Sequence, residues 1–181
     1  PSTWVLSNHD VVRHPSRLGL SVAGSKPQGI GVGDEQPDEE LGLRRARAAT
    51  LLTLALPGSA YLYQGEELGL PEHTTLDDSL REDPAWARSG HTERGRDGCR
   101  VPLPWDADAP GLGFSPTGAT WLPQPASWAR YALSAQRGER IDPRPRRVGR
   151  LAQHRPEEIV QPMDQAAMAA IGGVQGDDRA T

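Results

Sequence analysis

Trp4-Val5-Leu6-Ser7-Asn8-His9-Asp10-Val11-Val12-Arg13 joins a short apolar run to a polar cluster holding an acid, an imidazole and a guanidinium. Trp4, Val5 and Leu6 read as a strand buried on both faces, because such strands lose the polar alternation of half-exposed ones. Asn8, His9, Asp10 and Arg13 then stand at its C-terminal end, the edge where parallel α/β folds collect their chemistry. A second signal of the same kind follows. Leu51 to Leu56 is apolar, Pro57-Gly58 breaks it, and Ser59 to Tyr63 reads as another strand ending in Gln64-Gly65-Glu66-Glu67.

Between the two strands the pattern is helical. Pro37-Asp38-Glu39-Glu40 supplies an acidic first turn with Asp38 as N-cap. Leu41, Ala48, Leu52 and Ala55 recur at helical spacing, and Arg44, Arg45 and Arg47 lie largely off that stripe. Strand, helix, strand is a βαβ unit, and its crossover implies parallel strands.

Composition narrows the class. Twenty Gly and seventeen Pro make up about a fifth of the 181 residues, and aromatic content is 5%, so long loops surround a modest amount of regular structure. A net charge of −4 gives no global attraction to nucleic acid or anionic membrane. No apolar stretch approaches the roughly 18–20 residues of a membrane span, and no signal peptide is expected. One cysteine, Cys99, excludes an internal disulfide framework and any CxxC motif. His9, His14, His73, His91 and His154 show no zinc-type spacing, so no metal is expected. Gly29-Ile-Gly-Val-Gly33 follows no buried strand and precedes no Lys-Ser/Thr pair, so it reads as a loop rather than a phosphate cradle. No G-x-S-x-G elbow supports a serine nucleophile.

Three segments together resemble the α-amylase superfamily of glycoside hydrolases, in its α-glucosidase and oligo-1,6-glucosidase branch. Ser7-Asn8-His9-Asp10 with Arg13 is similar to that family's seventh-strand motif. Leu56 through Gly69 is similar to its eighth strand and the following turn. Arg94-Gly95-Arg96-Asp97-Gly98-Cys99-Arg100-Val101-Pro102-Leu103-Pro104-Trp105 resembles the loop beyond that strand, which oligo-1,6-glucosidases write more like R-T-P-M-x-W-D; Val101 and Leu103 depart from it.

The resemblance implies an α/β fold, a partial (β/α)8 TIM barrel made of the seventh and eighth strands, the connecting helix and a long loop. It covers residues 1–135. It implies Asp10 as the carboxylate that binds the hydroxyls beside the reacting carbon, and His9 as a donor to the same sugar. Arg13 would hold Asp10 ionised, with Asn8, Arg100 and Trp105 completing the substrate-binding set. The nucleophile and acid/base of such enzymes lie after the fourth and fifth strands, so the chain alone is expected to be inactive. No cofactor is implied, the substrate is a small α-glucoside or maltooligosaccharide, and the location implied is cytoplasmic. The rival readings are trehalose synthase or a glucosyltransferase on the same fold, and a non-catalytic or carbohydrate-binding remnant.

Other residues read as structural: Glu66 and Glu67 shaping the site wall, Tyr63 packing the barrel, and Cys99 as an inert small apolar group. Residues 70 to 128 form a long Pro-, Gly- and Trp-rich loop, suited to a lid that Trp105, Trp121 and Trp128 would anchor. Over 136–181 the character changes. Arg137, Arg140, Arg144, Arg146, Arg147 and Arg150 crowd around Pro143 and Pro145, without the apolar period of a barrel helix. A basic nucleic-acid tail is one reading, but no aromatic residues are interleaved. A shifted reading frame explains more: one coding of Ile141 to Arg146, read one base later, gives Ser-Thr-Leu-Asp-Leu, similar to the start of the family's eighth helix. A poorly ordered, irregular tail is the expectation.

Overall fold

The structure, a computed structural model, describes residues 2–22, 25 and 27–137. The expectations for the Arg- and Pro-rich tail therefore fall almost wholly outside the described residues. Within them the βαβ unit is present. Strand β1 (Thr3–Val5) is followed by a short helix α1 (His14–Arg17), helix α2 (Glu39–Ala55) and strand β2 (Ser59–Tyr61). The strands pair in parallel, with Thr3 opposite Ser59, Trp4 opposite Ala60 and Val5 opposite Tyr61. The turn into β2 requires glycine. Gly58 has φ of +126°, and a Cβ there would stand 2.3 Å from the Ser2 carbonyl oxygen, which accepts the Ser59 N–H.

Helix α2 begins as its sequence dictates. The Asp38 side chain accepts a hydrogen bond from Leu41 N at 2.9 Å, and Glu39 and Glu40 place negative charge in the first turn. The buried face differs from the expected stripe: Gly42, Ala46 and Thr53 are buried, whereas Ala48 and Ala55 are exposed and Leu41 and Leu52 are half-buried. The cause is α1. It packs so closely that a Cβ on Gly42 would stand 2.1 Å from the Pro15 carbonyl oxygen, so the smallest residue on α2 faces inward.

The sheet departs from expectation too. Trp4 and Val5 are half-buried and all of β2 is exposed, with Tyr61 at 63%. Among the described residues the sheet has two strands, so each is hydrogen-bonded along one edge only.

The core lies elsewhere, in what the sequence presents as a loop. Leu68, Leu70, Leu76, Val101, Leu103, Leu122, Trp128 and Tyr131 form one buried cluster, with Leu43 of α2 packed against it. Short helices punctuate this excursion: α3 (Pro84–Arg88), α4 (Leu133–Arg137) and 3-10 segments at Asp78–Leu80, Asp97–Cys99, Pro110–Gly113 and Ala126–Tyr131. Of the three expected Trp anchors, only Trp128 is buried. Trp105 and Trp121 are about half exposed, and the Trp121 indole N–H donates to Glu82 at 2.7 Å. Leucines placed at irregular intervals do the anchoring, which is why no periodicity announced it.

Candidate functional site

The site is built on the turn after β1. Asn8 Oδ1 accepts the Asp10 N–H at 2.8 Å, a local Asx bond that brings His9 and Asp10 outward together. Beneath them the chain is fixed by buried groups. Ser7 Oγ accepts the His14 N–H and lies 2.9 Å from His14 Nδ1. Arg17 donates through Nε to the Val12 carbonyl at 2.8 Å and through Nη2 to the Leu6 carbonyl. Burial pushes the His14 imidazole down to about 3. The residues before and after the turn are therefore held on both sides.

Asp10 is exposed and surrounded by cationic groups. Its Oδ1 accepts from Arg96 Nη1 at 2.9 Å and from Arg100 Nη2 at 3.2 Å, and its Oδ2 lies 3.2 Å from His9 Nε2. The Arg96 hydrogen bond holds its carboxyl below the ordinary aspartate range, and the charges of His9, Arg96 and Arg100 act in the same direction. Arg100 also donates through Nε to the His9 carbonyl at 2.9 Å, so one guanidinium fixes both backbone and carboxylate of the couplet.

Arg13 is not part of this group. It is 1% exposed, and its guanidinium donates to the Gln64 carbonyl at 2.8 Å and the Cys99 carbonyl at 3.0 Å while lying over the Tyr63 ring. The expected Arg13–Asp10 pair is replaced by Arg96 and Arg100. The reason is the close approach of the strand ends, where unpaired backbone carbonyls in a buried space demand a five-donor cation. Tyr63 donates to the same Cys99 carbonyl at 3.1 Å, and Glu72 Oε2 accepts the Arg13 N–H at 2.9 Å. Burial raises the carboxyls of both Glu66 and Glu72 to about 7. Glu67 turns back to accept the Gly65 N–H at 2.9 Å.

Trp105 is held through its backbone, to the Leu112 carbonyl and the Ser134 N–H, rather than to the His9–Asp10 turn. Cys99 is fully buried, and burial pushes its thiol up to about 12. Two concavities, about 360 Å³ beside Glu39, Arg130 and Tyr131 and about 300 Å³ beside Gly29, Asp34 and Arg94, are lined by none of residues 8–10. Among the described residues no group of three His, Cys, Asp or Glu is placed to hold a metal ion, and no helix is long and apolar enough to cross a membrane.

Sequence reasoning passed over Arg96 and Asp83. Arg96 stands four positions before Arg100 in a quoted motif, and a turn at Asp97–Cys99 carries both to one carboxylate. Asp83 carried only the signature of an N-cap before a proline.

Parallel strands joined by a helix, with an acid and an imidazole on the turn after the first strand, are an α/β arrangement. The α-amylase catalytic-domain model matches residues 1–144, and the chain belongs to that glycoside hydrolase family. It is 36% identical to a probable α-glucosidase of Rhizobium meliloti over 136 residues, 75% of this chain and 21% of the relative. It is 30% identical to an α-glucosidase of Apis mellifera, covering 76% and 20% of the two chains. Among solved structures, the α-glucosyl transfer enzyme XgtA is similar at 37% identity and a TM-score of 0.55, over 76% of this chain and 22% of that one. A trehalose-6-phosphate hydrolase of Bacillus licheniformis shares the fold at 24% identity and a TM-score of 0.52, over 76% and 24%. The chain thus spans about a fifth of the length of the relatives it matches.

Proposed function

We propose that this chain forms the seventh and eighth strands, with their loops, of the catalytic barrel of a retaining α-glucosidase acting on maltose or short α-linked oligosaccharides in the cytoplasm. The observation that carries the reading is the exposed Asp10 carboxylate, hydrogen-bonded by Arg96 and Arg100 and set beside His9. In glycoside hydrolysis positive charge spreads over the anomeric carbon and ring oxygen, and hydrogen bonds to the neighbouring hydroxyls strengthen as the ring distorts. An ionised Asp10 accepts from such hydroxyls and His9 bonds the same sugar; the 67% exposure of the His9 side chain supports this reading. Arg100 and Arg96 hold the acceptor in place and keep its carboxyl below the ordinary aspartate range. Asn8 and Arg13 act from below, one shaping the turn and the other bracing the strand ends.

A retaining enzyme needs two carboxyl groups about 5–5.5 Å apart. Among the described residues the charged neighbours of Asp10 are cations and an imidazole, so the chain alone is expected to leave α-glucosides intact. Activity requires the matching barrel portion that carries a nucleophile and an acid. The test is a graft of residues 1–135 in place of the corresponding segment of the Rhizobium meliloti relative, assayed for p-nitrophenol release from its α-glucoside. The graft is expected to hydrolyse, with Asp10→Asn lowering kcat by about 10²–10³-fold; an inactive graft, or turnover by the chain alone, would sink the reading.

Similarity to XgtA supports a second reading, transfer of the glucosyl unit to another sugar rather than to water. Product analysis with maltose separates the two: glucose alone marks hydrolysis, and longer oligosaccharides mark transfer.

A further inference from the structure

We propose that Asp83 is a positioning residue for Asp10, acting through Arg96; the inference deepens, and rests on, the sugar-binding reading of Asp10. The Asp83 side chain is fully buried, whereas Arg96 and Asp10 are 37% and 48% exposed. Asp83 Oδ2 accepts from Arg96 Nε at 2.6 Å and from the Arg96 N–H at 2.8 Å, and its Oδ1 accepts from Arg96 Nη2 at 3.2 Å. This fork engages one edge of the guanidinium and leaves Nη1 directed at Asp10 Oδ1, 2.9 Å away. A free arginine side chain would sample many rotamers; one forked along an edge presents a fixed donor from the other nitrogen.

The surroundings are built to keep the clamp in place. Asp97, 1% exposed, accepts the N–H groups of both Glu82 and Asp83 at 2.9 Å, so the residue beside Arg96 also fixes the backbone of its partner. Gly95 has φ of +71°, and a Cβ there would stand 2.8 Å from Asp83 Cβ and 2.9 Å from its carboxyl carbon. Only glycine lets the carboxylate lie against the chain that carries Arg96. A capping role explains a single bond, from Ala85 N to Oδ1 at 2.9 Å, which an asparagine would also accept. Capping therefore leaves unexplained why a carboxylate, costly to bury, occupies the position. Its fork with Arg96 explains it.

The experiment is a carbon-detected carboxyl NMR titration of Asp10 in the 181-residue protein and in Asp83→Asn, which keeps the Ala85 cap. Asp10 is faced by His9, Arg96 and Arg100. If Asp83 positions Arg96, the variant loses the fixed donor and the Asp10 midpoint moves up toward that of an ordinary aspartate. If Asp83 is only a cap or a background charge, removing a negative neighbour lowers the midpoint or leaves it in place, and the inference is overturned. Should Asp83→Asn not fold, the wild-type protein decides: the Arg96 Nε–H bonded to Asp83 must exchange slowly with solvent, and rapid exchange overturns the inference. Failure here is distinct from failure of the glucosidase reading. An inactive graft with a raised midpoint sinks the enzyme and keeps the relay; an active graft with an unmoved midpoint does the reverse.

Discussion

The β1–α2–β2 unit and the excursion from Leu68 to Leu133 invert the roles their sequences advertise. The unit carries the regular secondary structure and the motif, yet its second strand is exposed throughout. The excursion has no long helix or strand, yet it owns the larger buried cluster. Burial of apolar surface, not regularity, supplies most folding free energy. Stability should therefore reside in the excursion, which is tied to the turn after β1 by Arg13–Glu72 and by Arg96–Asp10.

The contrast can be broken most directly at Trp128, 1% exposed in the centre of the cluster. Trp128→Ala is expected to cost about 3–5 kcal/mol in urea denaturation. A cost under about 1 kcal/mol would place the core elsewhere.

Glu72 sharpens that tie. Its folded carboxyl is raised to about 7 by burial, so the unfolded chain loses this proton first as pH rises. Its favourable contribution is present below the unfolded value near 4.5 and is lost as pH climbs through about 7. Glu72→Gln should therefore gain stability relative to wild type between pH 5 and pH 7, by up to about 2–3 kcal/mol. Parallel urea midpoints across that range would contradict this. His14 and His73, pushed down to about 3 and about 4, slope the opposite way in both proteins and cancel in the comparison.

Gly95→Ala comes next, at roughly 1–2 kcal/mol, since alanine is strained at φ of +71° and its Cβ would crowd Asp83. Thermal unfolding reads the loss. Smallest is Tyr61→Ala on the exposed strand, expected within about 0.5 kcal/mol of wild type by the same denaturation. The same strand should matter in another way: its open edge favours self-association, and Ala60→Lys should reduce light scattering at high protein concentration.

What was legible in the sequence followed from local rules. Asp38 capping α2, Pro57-Gly58 ending it, and two apolar runs forming parallel strands are each decided within a few residues. The turn that carries His9 and Asp10 is equally local, set by the Asn8 side chain accepting the Asp10 N–H. What was not legible depended on partners distant in the chain. Gly42 faces inward because of Pro15, Arg13 turns to the carbonyls of Gln64 and Cys99, and Asp83 finds Arg96 through a bend at Gly95. The cluster around Trp128 has no period because its leucines come from successive turns rather than one face of one element.

Cys99 gives the molecule a built-in clock. Its sulfur is fully covered, its thiolate is suppressed, and its carbonyl is the shared acceptor of Arg13 and Tyr63. An alkylating reagent can reach it only when the braces of the strand ends part, so its modification rate times the opening of the wall that carries Arg96 and Arg100. A lone thiol with no chemistry of its own becomes the most direct gauge of how long the acid-binding arginines stay in place.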